Sequence, residues 1–193
     1  KGVNREEGDP NYDLYQLALR STAQRLYPNY ANVDWSVNAG YDKNDPRTYV
    51  STMGCRTYNG FDINGLGFLK DGRGNIAPVT IIMPTLAMEA DKDVETFMEL
   101  LDFKIYQARD MLLERYNWIC QQNPSSAKFM YENGLMAGYD GKSIESAMKH
   151  GTLVIGQLGL AETLQILIGE DHTTEKGMEL AKRIEQLFND RCK

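Results

Sequence analysis

An α/β fold is predicted by two short apolar runs and by the amphipathic segment that separates them. Residues 79–83 and 152–155 are rich in β-branched side chains and adjoin proline or glycine, which is typical of buried strands. Between them, residues 93–122 carry apolar side chains at three- and four-residue steps, which indicates a long amphipathic helix. Because strands separated by a helix usually pair in parallel, the sequence predicts a parallel sheet with substantial helix.

The first helix is predicted between Asp9 and Pro28. Asp9 is a residue type that caps helices, Pro10 suits a first helical turn, and Pro28 ends the helix. The apolar stripe of this helix consists of Leu14, Leu17, Ala18 and Ala23. This stripe is expected to face a core.

Three more helices are predicted near the end of the chain. A short helix begins at Ser143. A second helix runs from Gly159 to Ile168 and ends with Gly169 as its C-cap. The last helix covers residues 174–189 and directs one apolar face towards the core. That face consists of Met178, Ala181, Ile184, Leu187 and Phe188.

Strands are few for a chain of this length. Residues 49–53 predict one more brief strand, which leads directly into Gly54 and Cys55. Residues 60–74 contain five glycines, which no helix or regular strand would carry. Three or four strands in 193 residues are too few for a self-contained doubly wound sheet. The chain is therefore expected to form part of a larger barrel or sheet.

The composition excludes several classes of protein. Of the 193 residues, 42% are hydrophobic, so intrinsic disorder is excluded, and a net charge of −6 argues against a nucleic-acid-binding surface. The sequence has no apolar run of eighteen residues and a polar first segment, which predict neither a membrane span nor a secretory signal. Three widely spaced cysteines fit a reducing compartment. The composition thus predicts a cytoplasmic protein without nucleic-acid or membrane partners.

Standard catalytic and cofactor-binding motifs are absent from the sequence. His150 and His172 are far apart, which argues against a histidine metal site or a serine triad. The sequence contains neither a phosphate-binding loop nor a dinucleotide-binding glycine motif, and the cysteines match no zinc spacing. We therefore expect no bound metal. An acidic trio before the long helix is interpreted as a solvated helix start: Glu89, Asp91 and Asp93.

Cys55 is the candidate reactive residue. It stands between Gly54 and Arg56, and a neighbouring glycine lets a thiol approach a ligand closely. Cys120 suits a half-buried thiol near the end of the long helix, and Cys192 an unreactive thiol at the chain end. From the residues alone, a reactive Cys55 and an ordinary buried cysteine both remain open.

Two sequence blocks around this cysteine carry a family resemblance. Residues 51–57 read Ser-Thr-Met-Gly-Cys-Arg-Thr, and residues 71–80 read Asp-Gly-Arg-Gly-Asn-Ile-Ala-Pro-Val-Thr. Three further blocks lie at residues 8–13, 84–90 and 149–162, and all five blocks occur in the order that the family has. Together the five blocks resemble the anaerobic (class III) ribonucleoside-triphosphate reductase family over essentially the whole chain.

The resemblance implies a fold and a radical cysteine. Members of this family and their glycyl-radical relatives share an α/β barrel of two half-barrels, threaded by a finger loop that carries a cysteine. On that similarity, Cys55 becomes a transient thiyl radical and takes the hydrogen from C3′ of the ribose. We expect Cys55 to point inward from a loop tip and to form no disulfide with Cys120 or Cys192.

The resemblance also implies roles for neighbouring residues. Asn75 matches the asparagine that the family places beside the ribose, where its amide can both donate and accept hydrogen bonds. The alternative interpretation of Asn75 is a turn residue after Gly74. Met53 is expected to line the substrate pocket, although core packing explains a methionine equally well. His150 and Glu162 fall in matching blocks and are interpreted as structural.

The family's other components are expected outside this chain. No glycyl-radical segment, no second active-site cysteine, and no nucleotide-binding regulatory region that would bind ATP and control the enzyme allosterically is found in the sequence. Residues 1–193 are therefore predicted to be part of one catalytic barrel domain, inactive alone. The resemblance implies a ribonucleoside triphosphate substrate, a glycyl radical, formate as reductant, a radical-SAM iron–sulfur activase and a homodimer, with deoxyribonucleotides supplied for DNA replication.

Two alternative functions remain open at this stage. The first is another glycyl-radical enzyme of the formate-lyase type, which shares the barrel and the finger cysteine. The second is a non-catalytic α/β binding module in which Cys55 is merely packed. The pairing of Met-Gly-Cys-Arg-Thr with Gly-Arg-Gly-Asn favours the reductase.

Overall fold

The computed structural model describes residues 6–25, 27, 28, 30, 42, 44–49, 51–53 and 57–192. The chain forms two compact units, Lys1–Arg73 and Gly74–Lys193. The described residues of the first unit form an α-helix, a short 3-10 turn and a small hairpin, and those of the second form a parallel sheet with the other α-helices. The mixed α/β fold class predicted from the sequence is confirmed.

In the first unit, helix α1 spans Tyr12–Arg25, so the predicted first helix is confirmed. The predicted capping role of Asp9 and the predicted first-turn position of Pro10 are wrong, because α1 begins after both residues. No residue of α1 is buried, and Leu14 and Leu17 are 57% and 61% exposed. The predicted inward-facing stripe therefore has no core to face within the described part of this chain.

A two-stranded antiparallel hairpin follows. Strand β1 spans Ser51–Met53 and strand β2 spans Thr57–Asn59. Met53 lies opposite Thr57, and Ser51 lies opposite Asn59. The brief strand expected over residues 49–53 is thus confirmed for its last three residues, while Tyr49 instead ends a short 3-10 turn.

In the second unit, strands β3 (Asn75–Ile82) and β4 (Thr152–Leu158) pair in parallel, as predicted. β3 is longer than expected and ends one residue earlier, because Met83 is the first residue of the next helix. Pro84 lies in the first turn of that helix and does not end the strand, since a first-turn residue needs no backbone N–H.

Two helices follow β3 directly in the chain. Helix α2 spans Met83–Glu89 and helix α3 spans Val94–Cys120, within two residues of the prediction. Asp93 caps α3 by accepting a hydrogen bond from the backbone N–H of Thr96 at 2.7 Å, which holds the pKa of its carboxyl below the usual value. All three residues of the acidic trio are exposed, as expected for solvated carboxylates. The helix-start interpretation holds for Asp93 but is wrong for Glu89, because Glu89 is the last residue of α2.

Four α-helices of the described residues remain, of which the last three were predicted and the first was not. They are α4 (Lys128–Glu132), α5 (Ile144–Met148), α6 (Leu160–Ile168) and α7 (Glu175–Arg191). Gly159 and Gly169 bound α6 with φ of 84° and 73°, values that glycine adopts without strain. Met178 was expected on the buried face of α7 but is 40% exposed, and Leu180 is buried instead.

The main core lies on one face of the sheet. Side chains of α2, α3, α6 and α7 pack with Val79, Ile81 and Ile155 of the strands. Its largest fully buried members are Phe97, Met83, Leu101, Ile105, Leu164 and Ile184. The alternate residues of β3 (Pro78, Thr80 and Ile82) are exposed on the opposite face. All four helices of this core therefore cover the same face of the sheet, and the second face is open.

Candidate functional site

The predicted radical cysteine lies outside the described residues. Cys55 and its neighbours Gly54 and Arg56 connect β1 to β2 in sequence, and nothing further is described for them. Met53 is the last residue of β1, but its side chain does not belong to the described part of the structure. The orientation of Cys55 and the pocket-lining role of Met53 both stay predictions.

The loop after β2 is held by a buried ion pair that sequence analysis missed. The Arg73 guanidinium donates to the carbonyls of Gly60 and Leu69, at 2.8 and 2.9 Å. It also lies 3.9 Å from the Asp62 carboxylate, and the two side chains are 5% and 4% exposed. A second oxygen of Asp62 accepts the backbone N–H of Leu66 at 2.8 Å. These bonds fix the glycine-rich segment, and no local sequence pattern predicts the ion pair, because it joins residues that are distant in sequence.

Asn75 is the first residue of β3 and lies at an irregular point of the sheet. It pairs with Thr152 of β4, but the next paired residues are Ala77 and Leu153, so Ile76 is the extra residue of a β-bulge. Bulges re-aim the side chains beside them and often occur next to functional sites. The alternative interpretation of Asn75 as a turn residue is wrong, because Asn75 lies within the strand.

Two polar atoms at this strand end have no hydrogen-bond partner among the described residues. The side-chain oxygen Oδ1 of Asn75 and the hydroxyl Oγ1 of Thr152 are both buried and unpaired. Residues opposite each other on neighbouring strands present their side chains to the same face, about 5 Å apart. A buried unpaired polar group costs free energy, so such a pair is a candidate contact for a ligand.

A close backbone contact sets the position of this pair. The Thr152 backbone N–H donates to the Gly74 carbonyl at 2.9 Å. Gly151, the residue before Thr152, lies so close that an added Cβ would come 2.7 Å from Cγ1 of Ile76 and 2.8 Å from the Gly74 oxygen. Glycine at position 151 is therefore required for the N-terminal ends of β3 and β4 to approach each other. We call these two ends the strand entries.

His150 is packed and not displayed to solvent. It is 4% exposed, and a Cβ added at Gly138 would clash with its imidazole ring. Gly138 has a φ of 76°, so its loop covers the ring with a residue that needs the left-handed region. Glu162 lies in the first turn of α6 and is exposed. His150 thus anchors the turn that leads into Gly151 and Thr152.

The other two cysteines are free thiols. Burial raises the pKa of Cys120, and the nearby Glu145 carboxylate acts in the same direction, whereas a hydrogen bond with Tyr116 opposes both. Burial together with this thiol also raises the pKa of Tyr116 to about 12. Cys120 is therefore a protonated thiol at neutral pH and a poor nucleophile. Cys192 is exposed after the end of α7.

The described residues offer neither a metal-binding cluster nor a membrane-spanning helix. They contain no group of three or more His, Cys, Asp or Glu side chains placed to hold a metal ion. None of their helices is both long enough and apolar enough to cross a membrane. The described residues do contain the two unpaired polar atoms of Asn75 and Thr152. Together these atoms could bind a ligand with hydroxyl groups.

Comparison with known proteins agrees with the resemblance of the five blocks. The family model for anaerobic ribonucleoside-triphosphate reductase matches residues 1–193. The proteins of that name from Escherichia coli K12 and Haemophilus influenzae are 31% and 29% identical, each over 96% of this chain. That of Enterobacteria phage T4 is 30% identical over 89%. The chain spans 27% of the length of the two bacterial relatives and 29% of the phage protein. The chain belongs to the anaerobic ribonucleoside-triphosphate reductase family.

Proposed function

We propose that residues 1–193 supply part of the catalytic α/β barrel of a full-length anaerobic reductase. The one-sided core supports this proposal. A barrel carries its helices on the outer face only, whereas a doubly wound sheet carries them on both faces. Parallel strands are normally covered on both sides, so the open face with Pro78, Thr80 and Ile82 calls for further strands and side chains from the rest of the enzyme.

The proposed reaction converts a ribonucleoside triphosphate into its deoxyribonucleoside triphosphate. A thiyl radical on Cys55 takes the C3′ hydrogen of the ribose and returns a hydrogen at the end of the cycle. Overall, formate and a proton reduce the C2′–OH group to C2′–H, formate is oxidised to carbon dioxide, and the hydroxyl leaves as water. Sulfur suits this role because its radical can both remove a carbon-bound hydrogen and give it back. A glycyl radical in the full-length enzyme would generate the thiyl.

Asn75 is proposed to orient the ribose, with Met53 lining the same substrate's pocket. The observation that carries the proposal is the buried Oδ1 of Asn75, which has no hydrogen-bond partner in the described residues. Asn75 also belongs to one of the five sequence blocks that resemble the family. An amide oxygen accepts hydrogen bonds from sugar hydroxyls, and binding such a group would satisfy it. The same orphan oxygen disfavours a purely structural role.

The two alternative functions differ from the reductase in their substrate or in their need for a radical cysteine. A formate-lyase-type enzyme would use the same cysteine chemistry on a different substrate, and the reductase names of the relatives weigh against it. A non-catalytic binding module would need no radical cysteine. Remaining components of the proposal are the radical-SAM activase, allosteric control by ATP and other nucleotides, and a homodimer of the full-length chain.

The function is tested by assaying the full-length enzyme that carries this sequence, activated under anaerobic conditions. Chromatography should detect deoxyribonucleoside triphosphate from each ribonucleoside triphosphate only when formate is present. A formate-lyase-type activity without deoxyribonucleotide would support the first alternative. An activated enzyme with neither product would contradict the proposed catalysis.

Asn75→Ala should lower turnover about a hundredfold without eliminating it, because misplacing a substrate costs catalysis while the radical residue remains. The measurement is kcat for ribonucleoside triphosphate reduction by the activated full-length enzyme. Asn133→Ala is a matched control, because the exposed Asn133 amide donates only to the Phe129 carbonyl. Asn75→Ala turnover equal to the control would rule out the orienting role.

A further inference from the structure

We propose that Thr152 is a second ribose-positioning residue, whose hydroxyl binds the same substrate sugar as the Asn75 amide. The inference rests on the proposed reductase function and adds a residue that the sequence analysis did not select. Asn75 Oδ1 and Thr152 Oγ1 are both buried, both lack a partner in the described residues, and belong to residues directly opposite each other across the sheet.

The unpaired hydroxyl of Thr152 differs from the hydroxyls of two other threonines, which form structural hydrogen bonds. Thr163, on α6, is fully buried and donates its hydroxyl to the Gly159 carbonyl at 2.7 Å, as a structural threonine does. Thr174 caps α7 with its hydroxyl oxygen. Thr152 instead has a backbone N–H bonded to Gly74 and a hydroxyl that bonds to nothing described. Its side chain therefore has spare hydrogen-bonding capacity.

The chemistry of the pair matches a vicinal diol. An amide oxygen only accepts hydrogen bonds, whereas a hydroxyl both donates and accepts. Two neighbouring hydroxyls of a ribose can donate to Asn75 Oδ1 and exchange a hydrogen bond with Thr152 Oγ1. An apolar ligand or an anion would leave the amide oxygen unsatisfied, so sugar hydroxyls are the favoured ligand.

The backbone around Thr152 is built to hold it in place. Gly151 makes the close approach to Ile76 and Gly74, and His150 is clamped under Gly138 immediately before it. Positioning of a substrate requires side chains held by rigid elements rather than by a loose loop. The residues from 150 to 152 form such a rigid entry to β4.

The test uses Thr152→Val, which removes the hydroxyl at nearly constant volume, and Thr152→Ser, which keeps it. In the activated full-length reductase, Thr152→Val should lower kcat/KM for a ribonucleoside triphosphate about tenfold. The loss should fall mainly on KM, because the hydroxyl holds the ribose equally in the ground state and the transition state, whereas Asn75 aligns the reacting sugar. Thr152→Ser should stay within about threefold of the parent, since it retains the hydroxyl.

Thermal unfolding separates this role from a structural one. Thr152→Val should keep or raise the melting temperature, because it removes an unsatisfied buried hydroxyl. The control Thr163→Val should lower the melting temperature and leave KM unchanged, because it breaks a structural hydrogen bond.

If the parent enzyme reduces ribonucleotides, any one of three results would overturn the assignment of Thr152. These are an unchanged KM for Thr152→Val, a Thr152→Ser variant as impaired as Thr152→Val, and a fall in melting temperature like that of Thr163→Val. A parent enzyme that forms no deoxyribonucleotide would instead refute the proposed function, and this assignment with it.

Discussion

Replacing Cys55 by serine should abolish ribonucleoside triphosphate reduction by the activated full-length enzyme. A serine hydroxyl has nearly the size of the thiol, but its oxygen radical is much harder to generate, so the radical could not pass from glycine to the substrate. No deoxyribonucleoside triphosphate should accumulate above the level of the unactivated enzyme. The loss should exceed that of Asn75→Ala, which removes a contact and leaves the radical residue intact.

Two controls make the Cys55→Ser result specific. Its melting temperature should stay close to that of the parent, because the substitution alters a single sulfur atom. Cys192→Ser should retain full activity, because that thiol is exposed beyond the last helix. Retained reduction in Cys55→Ser would mean that another residue carries the radical.

Gly151→Ala should destabilise the protein by about 1–3 kcal/mol and lower turnover as well. The added Cβ would lie within 2.8 Å of the Gly74 carbonyl oxygen, a backbone atom that cannot rotate away. Relief of this clash requires the two strand entries to separate, which moves Asn75 and Thr152. The gain of about 0.4–1 kcal/mol from a less flexible unfolded chain is smaller than this cost. Thermal unfolding and kcat measure the two effects.

Gly74→Ala is the matched control for this prediction. A Cβ at Gly74 meets no atom within 4 Å, although the residue lies at the same strand entry. It should leave the melting temperature unchanged or raise it slightly. Equal destabilisation by both substitutions would contradict the prediction. It would show that the loss of stability does not come from the close contact of Gly151 with Gly74.

The elements with strong local signals were predictable from the sequence. α3 has regular apolar spacing and a capping Asp93, and α6 lies between two glycines with positive φ, so each was placed within two residues. Parallel pairing of β3 and β4 followed from the helices between them. These features depend on neighbours in sequence, which is why pattern analysis finds them.

The features missed by sequence analysis depend on contacts across the sheet or the loop. Nothing in the sequence marks the bulge at Ile76 or the pairing of Asn75 with Thr152, because register emerges only when the two strands meet. Met178 fits the apolar period of α7, but the core ends before reaching it. Arg73 lacks any local pattern that would predict its burial beside Asp62.

Thiol alkylation of the full-length, unactivated enzyme shows whether Cys55 lies in the active site. Mass spectrometry would follow modification of each cysteine with and without a ribonucleoside triphosphate. We expect the substrate to slow labelling of Cys55 at least tenfold, while the exposed Cys192 reacts at the same rate in both samples. Equal labelling of Cys55 with and without saturating substrate would contradict its place in the active site.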